Sequence, residues 1–157
     1  ALANQAKEVT SVDISKQALA LAIENGKLNS FTGTHKTLAG DAFEILRKLI
    51  TEKKTFDVVV IDPPSFAKNK SEIDIAKKKY RQLAELGVQL TSKGGMLVLA
   101  SCSSRIVADS FFQINKEVLD HQFRSYNLQN KTQHDVDHPI SFKEGAYLKT
   151  GFYRFTK

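Results

Sequence analysis

The sequence predicts an α/β domain with a mostly parallel sheet, and three observations carry that prediction. Val58-Val59-Val60-Ile61 and Met96-Leu97-Val98-Leu99-Ala100 are continuous apolar runs, which suit parallel strands buried on both faces better than surface strands. Between such runs lie segments with apolar residues at helical spacing, the longest carrying Ile73, Ala76, Tyr80, Leu83, Gly87 and Leu90. Acidic residues stand just past three successive strand candidates, at Asp13, Asp41 and Asp62. In open α/β sheets ligands bind beyond the carboxyl ends of the strands, so these positions nominate a site.

Taken in order, Ala1 to Glu8 opens with helix formers and no capping residue and reads as the tail of a helix. Val9 to Asp13 is a short strand, and Ser15 is placed to cap a helix from Lys16 to Leu28 whose Leu19, Ala22 and Ile23 face inward. After a turn over Asn29 to Gly33 comes a second strand, Thr34 to Ala39. Gly40-Asp41 then leads into a helix from Ala42 to Lys53 with Phe43, Leu46, Leu49 and Ile50 on one face. Asp41 and Glu44 have capping-box spacing. The central strand, Val58 to Ile61, is bounded by Asp57 and Asp62. Pro63 and Pro64 stop it, because they lack the N–H a ladder needs and hold the following loop extended. A polar loop, Ala67 to Ser71, precedes a helix that ends near Leu90, broken by Lys93-Gly94-Gly95. Met96 to Ala100 is the next strand, Ser101-Cys102-Ser103-Ser104 is its end, and Val107, Phe111, Ile114 and Val118 trace the following helix. From Phe123 the helical period is lost. Phe123 to Leu128 and Tyr147 to Phe155 read as an antiparallel pair at one edge.

A chain of 157 residues, 41% hydrophobic and 25% charged, suits one well-filled domain. No apolar run approaches the roughly 20 residues of a membrane span, and no basic-then-apolar leader opens the sequence, which points to the cytoplasm. The lone Cys102 makes no internal disulfide, and one thiol with four scattered histidines offers no metal-ligand spacing, so no metal is expected. The formal charge of +6 favours a polyanionic partner. Nothing in the pattern specifies an oligomeric state.

A carboxylate can accept hydrogen bonds from two vicinal hydroxyls at once, and Asp13, one strand over in a doubly wound sheet, is placed to do so for a ribose. Asp41, with the neighbouring amides such as that of Ala42, suits an adenine's exocyclic amine; a plain helix cap satisfies the same spacing. The glycine-rich turn that precedes such an acid by roughly 20 residues does not fit into the residues before Asp13.

Asp13, Gly40-Asp41-Ala42-Phe43, Asp62-Pro63-Pro64-Ser65-Phe66, Ser101-Cys102-Ser103, Asp137-His138-Pro139 and Glu144-Gly145-Ala146-Tyr147-Leu148-Lys149 follow one another across nearly all of the chain. Together they resemble the class I S-adenosylmethionine-dependent methyltransferases. More narrowly, they resemble the catalytic domain of the bacterial 23S ribosomal RNA large-subunit cytosine-5-methyltransferases, which carry an N-terminal PUA domain. The resemblance implies a Rossmann-like sheet, S-adenosylmethionine as cofactor and ribosomal RNA as partner. It implies that Asp13 binds the cofactor ribose, Asp41 and Ala42 the adenine end, and that Asp62 lies between cofactor and target base. It also implies that residues 1–157 are a partial catalytic domain: the PUA domain and the family's first strand with its glycine-rich loop are missing. That loss would leave a gap in the sheet and impair cofactor binding.

Methylating a pyrimidine at carbon 5 calls for a thiolate added at carbon 6, and the resemblance makes Cys102 that nucleophile. The residue follows a buried strand and lies close to a helix N-terminus, whose dipole favours a thiolate. Without the resemblance, a buried inert cysteine fits the same setting. Asp62 would then hold the cytosine's amidine edge. Ser65 stands where another branch of RNA cytosine methyltransferases has a second cysteine. Related ribosomal RNA enzymes share the Asp-Pro-Pro loop but methylate a guanine nitrogen, with no covalent intermediate, and a non-catalytic RNA-binding fragment is the reading outside enzymes. Between Phe66 and Arg81 six basic side chains face two acidic ones, a balance of +4. Lys68 and Lys70 are set to meet RNA phosphates, and with Pro63, Pro64 and Phe66 they make the expected substrate-binding set. Phe66 either stacks on an extruded base or anchors its loop. Lys77 to Lys79 read as a solvated helix face, and His138 and Lys149 as structural residues.

Overall fold

The first strand and the second, β1 (Glu8–Asp13) and β2 (Thr34–Ala39), pair in parallel with Asp13 beside Ala39. They belong to the first of two compact units, Ala1–Thr51 and Glu52–Lys157, in a computed structural model that describes residues 1–2, 5–142 and 145–156. Between the strands runs α1 (Lys16–Lys27), capped as expected by Ser15, whose hydroxyl accepts from the Ala18 amide at 3.1 Å. After β2, Gly40 takes a φ of 154°, which L side chains rarely adopt, and its amide donates to the Asp13 carbonyl at 3.0 Å. That bond ties the ends of the two strands together. Asp41 then caps α2 (Ala42–Thr51), accepting from the Glu44 amide at 3.1 Å.

The expected helical tail at Ala1 to Glu8 is not a continuous helix. Gln5 has a φ of 66° and β1 already begins at Glu8, while Ala3 and Asn4 lie outside the described residues. So short a segment without a cap does not sustain a helix on propensity alone. The second helix stops at Thr51, two residues before the expected end, and Lys53 is left-handed at φ 56°.

The second unit holds β3 (Phe56–Ile61), α3 (Ile73–Leu90), β4 (Thr91–Ser101), α4 (Ala108–His121), β5 (Tyr126–Thr132) and β6 (Lys149–Phe155). Its sheet runs β3-β4-β6-β5, with β3 and β4 parallel and β6 antiparallel to both neighbours. The C-terminal pair is thus antiparallel as read from the sequence, with β5 alone at the edge and β6 inside. The core includes Val59 and Ile61 of β3, Leu97 and Leu99 of β4, Tyr153 and Phe155 of β6, and the inward faces of α3 and α4. Tyr80 and Phe111 meet edge to face across the two helices, with centroids 5.5 Å apart.

Two expectations fail here. Val58 and Val60 are 59% and 63% exposed, so β3 is buried on one face only. Side chains alternate along a strand, and the face they share is not the one that carries the unit's core, so an apolar run did not mean two covered faces. Nor does the Gly94-Gly95 pair break α3. The helix ends at Leu90 because Thr91 turns extended, and its hydroxyl donates back to the Gly87 carbonyl at 2.7 Å. Arg124 completes that end, donating to the carbonyls of Val88 at 2.7 Å and Thr91 at 2.8 Å while its guanidinium stacks on Phe155.

Candidate active site

The ends of β3 and β4 build the site. Ile61 lies beside Leu99 in the parallel ladder, so Asp62-Pro63-Pro64 and Ser101-Cys102 leave neighbouring strands in the same direction. Asp62 is exposed and Cys102 is half-buried, its thiol 3.8 Å from the Pro63 carbonyl, which accepts from it. A cavity of about 390 Å³ opens there, lined by Ser65, Ala67, Lys68, Cys102, Ser104, Arg105 and Tyr147. Cys102, Lys68 and the Asp-Pro-Pro loop, expected together from the sequence, are therefore neighbours. Pro63, Pro64, Phe66 and Lys70 do not line the cavity itself.

The loop after β3 is held by its own chemistry. The Glu72 carboxylate accepts from the amides of Lys68 at 2.7 Å and Asn69 at 3.3 Å, which fixes where Lys68 leaves the backbone and holds that carboxyl below the usual range. Phe66 sits edge-on to Tyr80 with centroids 5.1 Å apart, and the Lys79 ammonium lies 5.0 Å from its ring centre. In this geometry Phe66 anchors the loop, and Lys79, read from the sequence as solvated, covers it. The helix N-terminus expected beside Cys102 is more remote along the chain, since α4 begins only at Ala108.

Beneath the cavity is a buried polar layer. The Ser101 hydroxyl donates to the Tyr80 phenol at 2.9 Å and accepts from the Ser103 amide at 3.3 Å. Burial pushes the Tyr80 phenol up, and the nearby charges of Cys102 and Asp62 add to that, against the Ser101 hydrogen bond. Lys149, opposite Ser101 in the β4–β6 register, is 1% exposed. Its ammonium donates to the carbonyls of Ser103 and, at 3.0 Å, Tyr147, with no carboxylate partner among the described residues. Burial pulls its pKa down to about 8, with Cys102 acting in the opposite sense. The Ser103 hydroxyl is buried without a hydrogen-bond partner among the described residues.

Tyr147 is braced from outside. Its ring meets His134 edge to face at 4.6 Å, its hydroxyl lies 3.3 Å from His138 Nε2, and His134 stacks on His138 at 4.7 Å. His134 Nε2 accepts from the Leu148 amide at 3.0 Å, so His138 has the structural place expected of it. Glu144 of the same motif lies outside the described residues. Ser104, Arg105, Tyr80 and the role of Tyr147 were not singled out from the sequence.

In the first unit, Asp13 and Asp41 end the β1 and β2 segments. One oxygen of each is used internally, by the Ser15 amide at 2.7 Å and the Glu44 amide at 3.1 Å. The other carboxylate oxygen of each has no hydrogen-bond partner among the described residues, and both side chains are exposed. Acceptors of this kind fit ribose hydroxyls and an adenine amine. Ala42, the first residue of α2, is half-buried. Among the described residues no group of three or more His, Cys, Asp or Glu side chains is placed to hold a metal ion, and no helix is long and apolar enough to cross a membrane.

The strand order, the parallel pairing and the antiparallel C-terminal strands define an α/β Rossmann-like methyltransferase fold with a mixed sheet, and solved structures agree. SMU.776, solved as a complex with SAH, superposes with a TM-score of 0.77 at 24% identity over 95% of this chain and 39% of its own. Trm5b from Pyrococcus abyssi does so with 0.66 at 17% identity over 99% and 40%. Residues 1–120 match the family described as Conserved hypothetical protein 95, and the chain belongs to that family. It is 37% identical over 147 residues to the ribosomal RNA large subunit methyltransferase I of Shewanella frigidimarina, and 38% identical over 148 residues to the ribosomal RNA large subunit methyltransferase of Deinococcus radiodurans. Those matches cover 92% and 94% of this chain but only 37% and 36% of the relatives' own lengths.

Proposed function

We propose that this chain is catalytic machinery of an S-adenosylmethionine-dependent ribosomal RNA methyltransferase that acts in the cytoplasm on carbon 5 of a cytosine. The observation that carries the reading is the cavity at the ends of β3 and β4, whose wall holds the chain's one thiol beside the Asp-Pro-Pro loop. The relatives' names support ribosomal RNA as substrate. Residues 1–157 then form a partial catalytic domain, with a PUA domain and the family's first strand supplied by other parts of the protein. That reading is supported by the edge position of β3, by exposed Val58 and Val60, and by the fraction of the relatives' length that the chain spans.

S-adenosylmethionine, when bound, supplies the methyl group from its sulfonium. The chain's residues do the rest. Asp13 accepts from the ribose hydroxyls, and Asp41 with the Ala42 amide meets the adenine. Lys68 at the cavity wall, and Lys70 outside it, neutralise RNA phosphates, while Arg105 adds a second cation at the wall. Pro63 and Pro64 keep the loop stiff around the base, and Phe66 holds it against α3. The Cys102 thiolate bonds to carbon 6 of the cytosine and pushes the ring electrons to carbon 5, which takes the methyl group. Transfer of the carbon 5 proton to a base, water or the Asp62 carboxylate, then expels the thiolate. Asp62 hydrogen-bonds the amidine edge and offsets the charge that develops there.

The test is Cys102→Ala in the protein that contains this chain. Formation of 5-methylcytidine in ribosomal RNA should fall at least roughly a thousandfold with S-adenosylmethionine affinity kept within about threefold, because the thiolate acts on the base. Substantial activity in the variant, with a methylated guanine in the digested RNA, would establish the nitrogen chemistry instead. RNA binding with no methyl transfer by the unaltered protein would make it a binding module.

A further inference from the structure

Lys149 is a cation sealed inside the second unit, 1% exposed and without a carboxylate partner among the described residues, bound to the residue after the one thiol. Burying a charge that way costs several kcal/mol unless the site repays it, and hydrophobic residues of similar size replace such groups at little or no loss. Its two acceptors explain what is gained. The Ser103 carbonyl belongs to the residue after Cys102, and the Tyr147 carbonyl to the opposite strand's approach, so one ammonium joins two segments that line the same cavity. The backbone sets this up: Lys149 pairs with Ser101 in the β4–β6 ladder and shares its face with Gly151, Tyr153 and Phe155, all buried. We propose that Lys149 is a positioning residue for Cys102, clamping the turn that presents the thiol to the Tyr147 side of the cavity and placing a positive charge beside it. The catalytic consequence rests on Cys102 as nucleophile, whereas the clamp and its charge do not.

The chain's single thiol allows a direct test with two small reagents, anionic iodoacetate and neutral iodoacetamide. Both consume the same thiolate, so the ratio of their rate constants reports the local charge and not the thiolate fraction. In Lys149→Met the iodoacetate-to-iodoacetamide ratio should fall by roughly threefold or more, as expected for losing one unit charge that acts on the thiol. In Lys149→Arg it should stay near the unaltered value. An unchanged ratio in a folded Lys149→Met chain overturns the proposal. If Lys149→Met fails to fold by circular dichroism, the unaltered chain decides. Its ratio should decline as pH rises through about 8, where Lys149 gives up its proton. Among the described residues, the other titratable or charged groups around the thiol and Lys149 include Cys102 at the end of β4, Tyr80 of α3 with Asp62 acting on it, Tyr147 with His134 ahead of β6, and Lys68 and Arg105 at the cavity wall. Tyr80 is shifted upward, away from this window, and Cys102 cancels in the ratio. A ratio flat from pH 7 to about 9.5 overturns the proposal in that case. Failure of the nucleophile assignment would appear separately, as retained methyl transfer in Cys102→Ala.

Discussion

Single residues in the polar layer under the cavity each have one job. Ser101 gives its proton to Tyr80 and takes one from the Ser103 amide, so the strand end and the turn after it are fixed by one hydroxyl pair. In Tyr80→Phe the ring stays between Phe66 and Phe111 while Ser101 loses its acceptor. We expect a loss of about 1–2 kcal/mol in urea unfolding of this chain, the cost of stranding a buried hydroxyl. A change within a few tenths would mean that the pair does not hold the turn. Lys149 shows how much of this layer the sequence carried. Lys149, read as a structural residue, shares one face with Gly151, Tyr153 and Phe155, which alternate with the residues between them. The sequence reading took Lys149 as structural without placing it inside; the period-two alternation along β6 accounts for its burial. Cys102 and Lys68 were legible because their motifs are local, whereas Arg105 and Tyr147 reach the cavity only through the fold.

At the scale of elements, β6 is the tightest fit. A Cβ on Gly151 would meet the Tyr153 ring, with three of its atoms between 2.6 and 2.8 Å, and that ring is 2% exposed and held by Asn115 of α4 at 3.2 Å. The ring cannot swing clear, so Gly151→Ala should cost roughly 2 kcal/mol in chemical denaturation, in the range of overpacked cores. A neutral result would show that β6 has slack. The helices and strands were legible almost throughout, since α3 ends at Leu90 and β2 spans Thr34–Ala39 as the pattern required. What the pattern lacked was the covering of faces. Continuous apolar sequence cannot distinguish a strand buried on both sides from one like β3, whose Val58 and Val60 are exposed. The end of α3 falls where the pattern put it but for a different reason: Gly94 and Gly95 advertise a break, whereas Thr91 and a distant Arg124 make it.

For the molecule as a whole, the fold follows from the order of strands and helices, and the family from the match over residues 1–120. In the reaction proposed here one atom is decisive, the Cys102 sulfur. Asp13 and Asp41 are nominated as cofactor acids because one closes β1 and the other follows β2, and their carboxylate oxygens without a partner among the described residues suit that proposed role equally well in carbon or nitrogen methylation. They do not choose between the two. The sulfur does, and a substrate whose carbon 5 carries fluorine tests it most directly, since fluorine cannot leave as a proton does. With 5-fluorocytosine in the target RNA and S-adenosylmethionine present, the protein that carries this chain should form a protein–RNA adduct that survives a denaturing gel and maps by mass spectrometry to Cys102. The absence of that adduct, together with methylation of the fluorinated RNA at a guanine, would contradict the covalent mechanism.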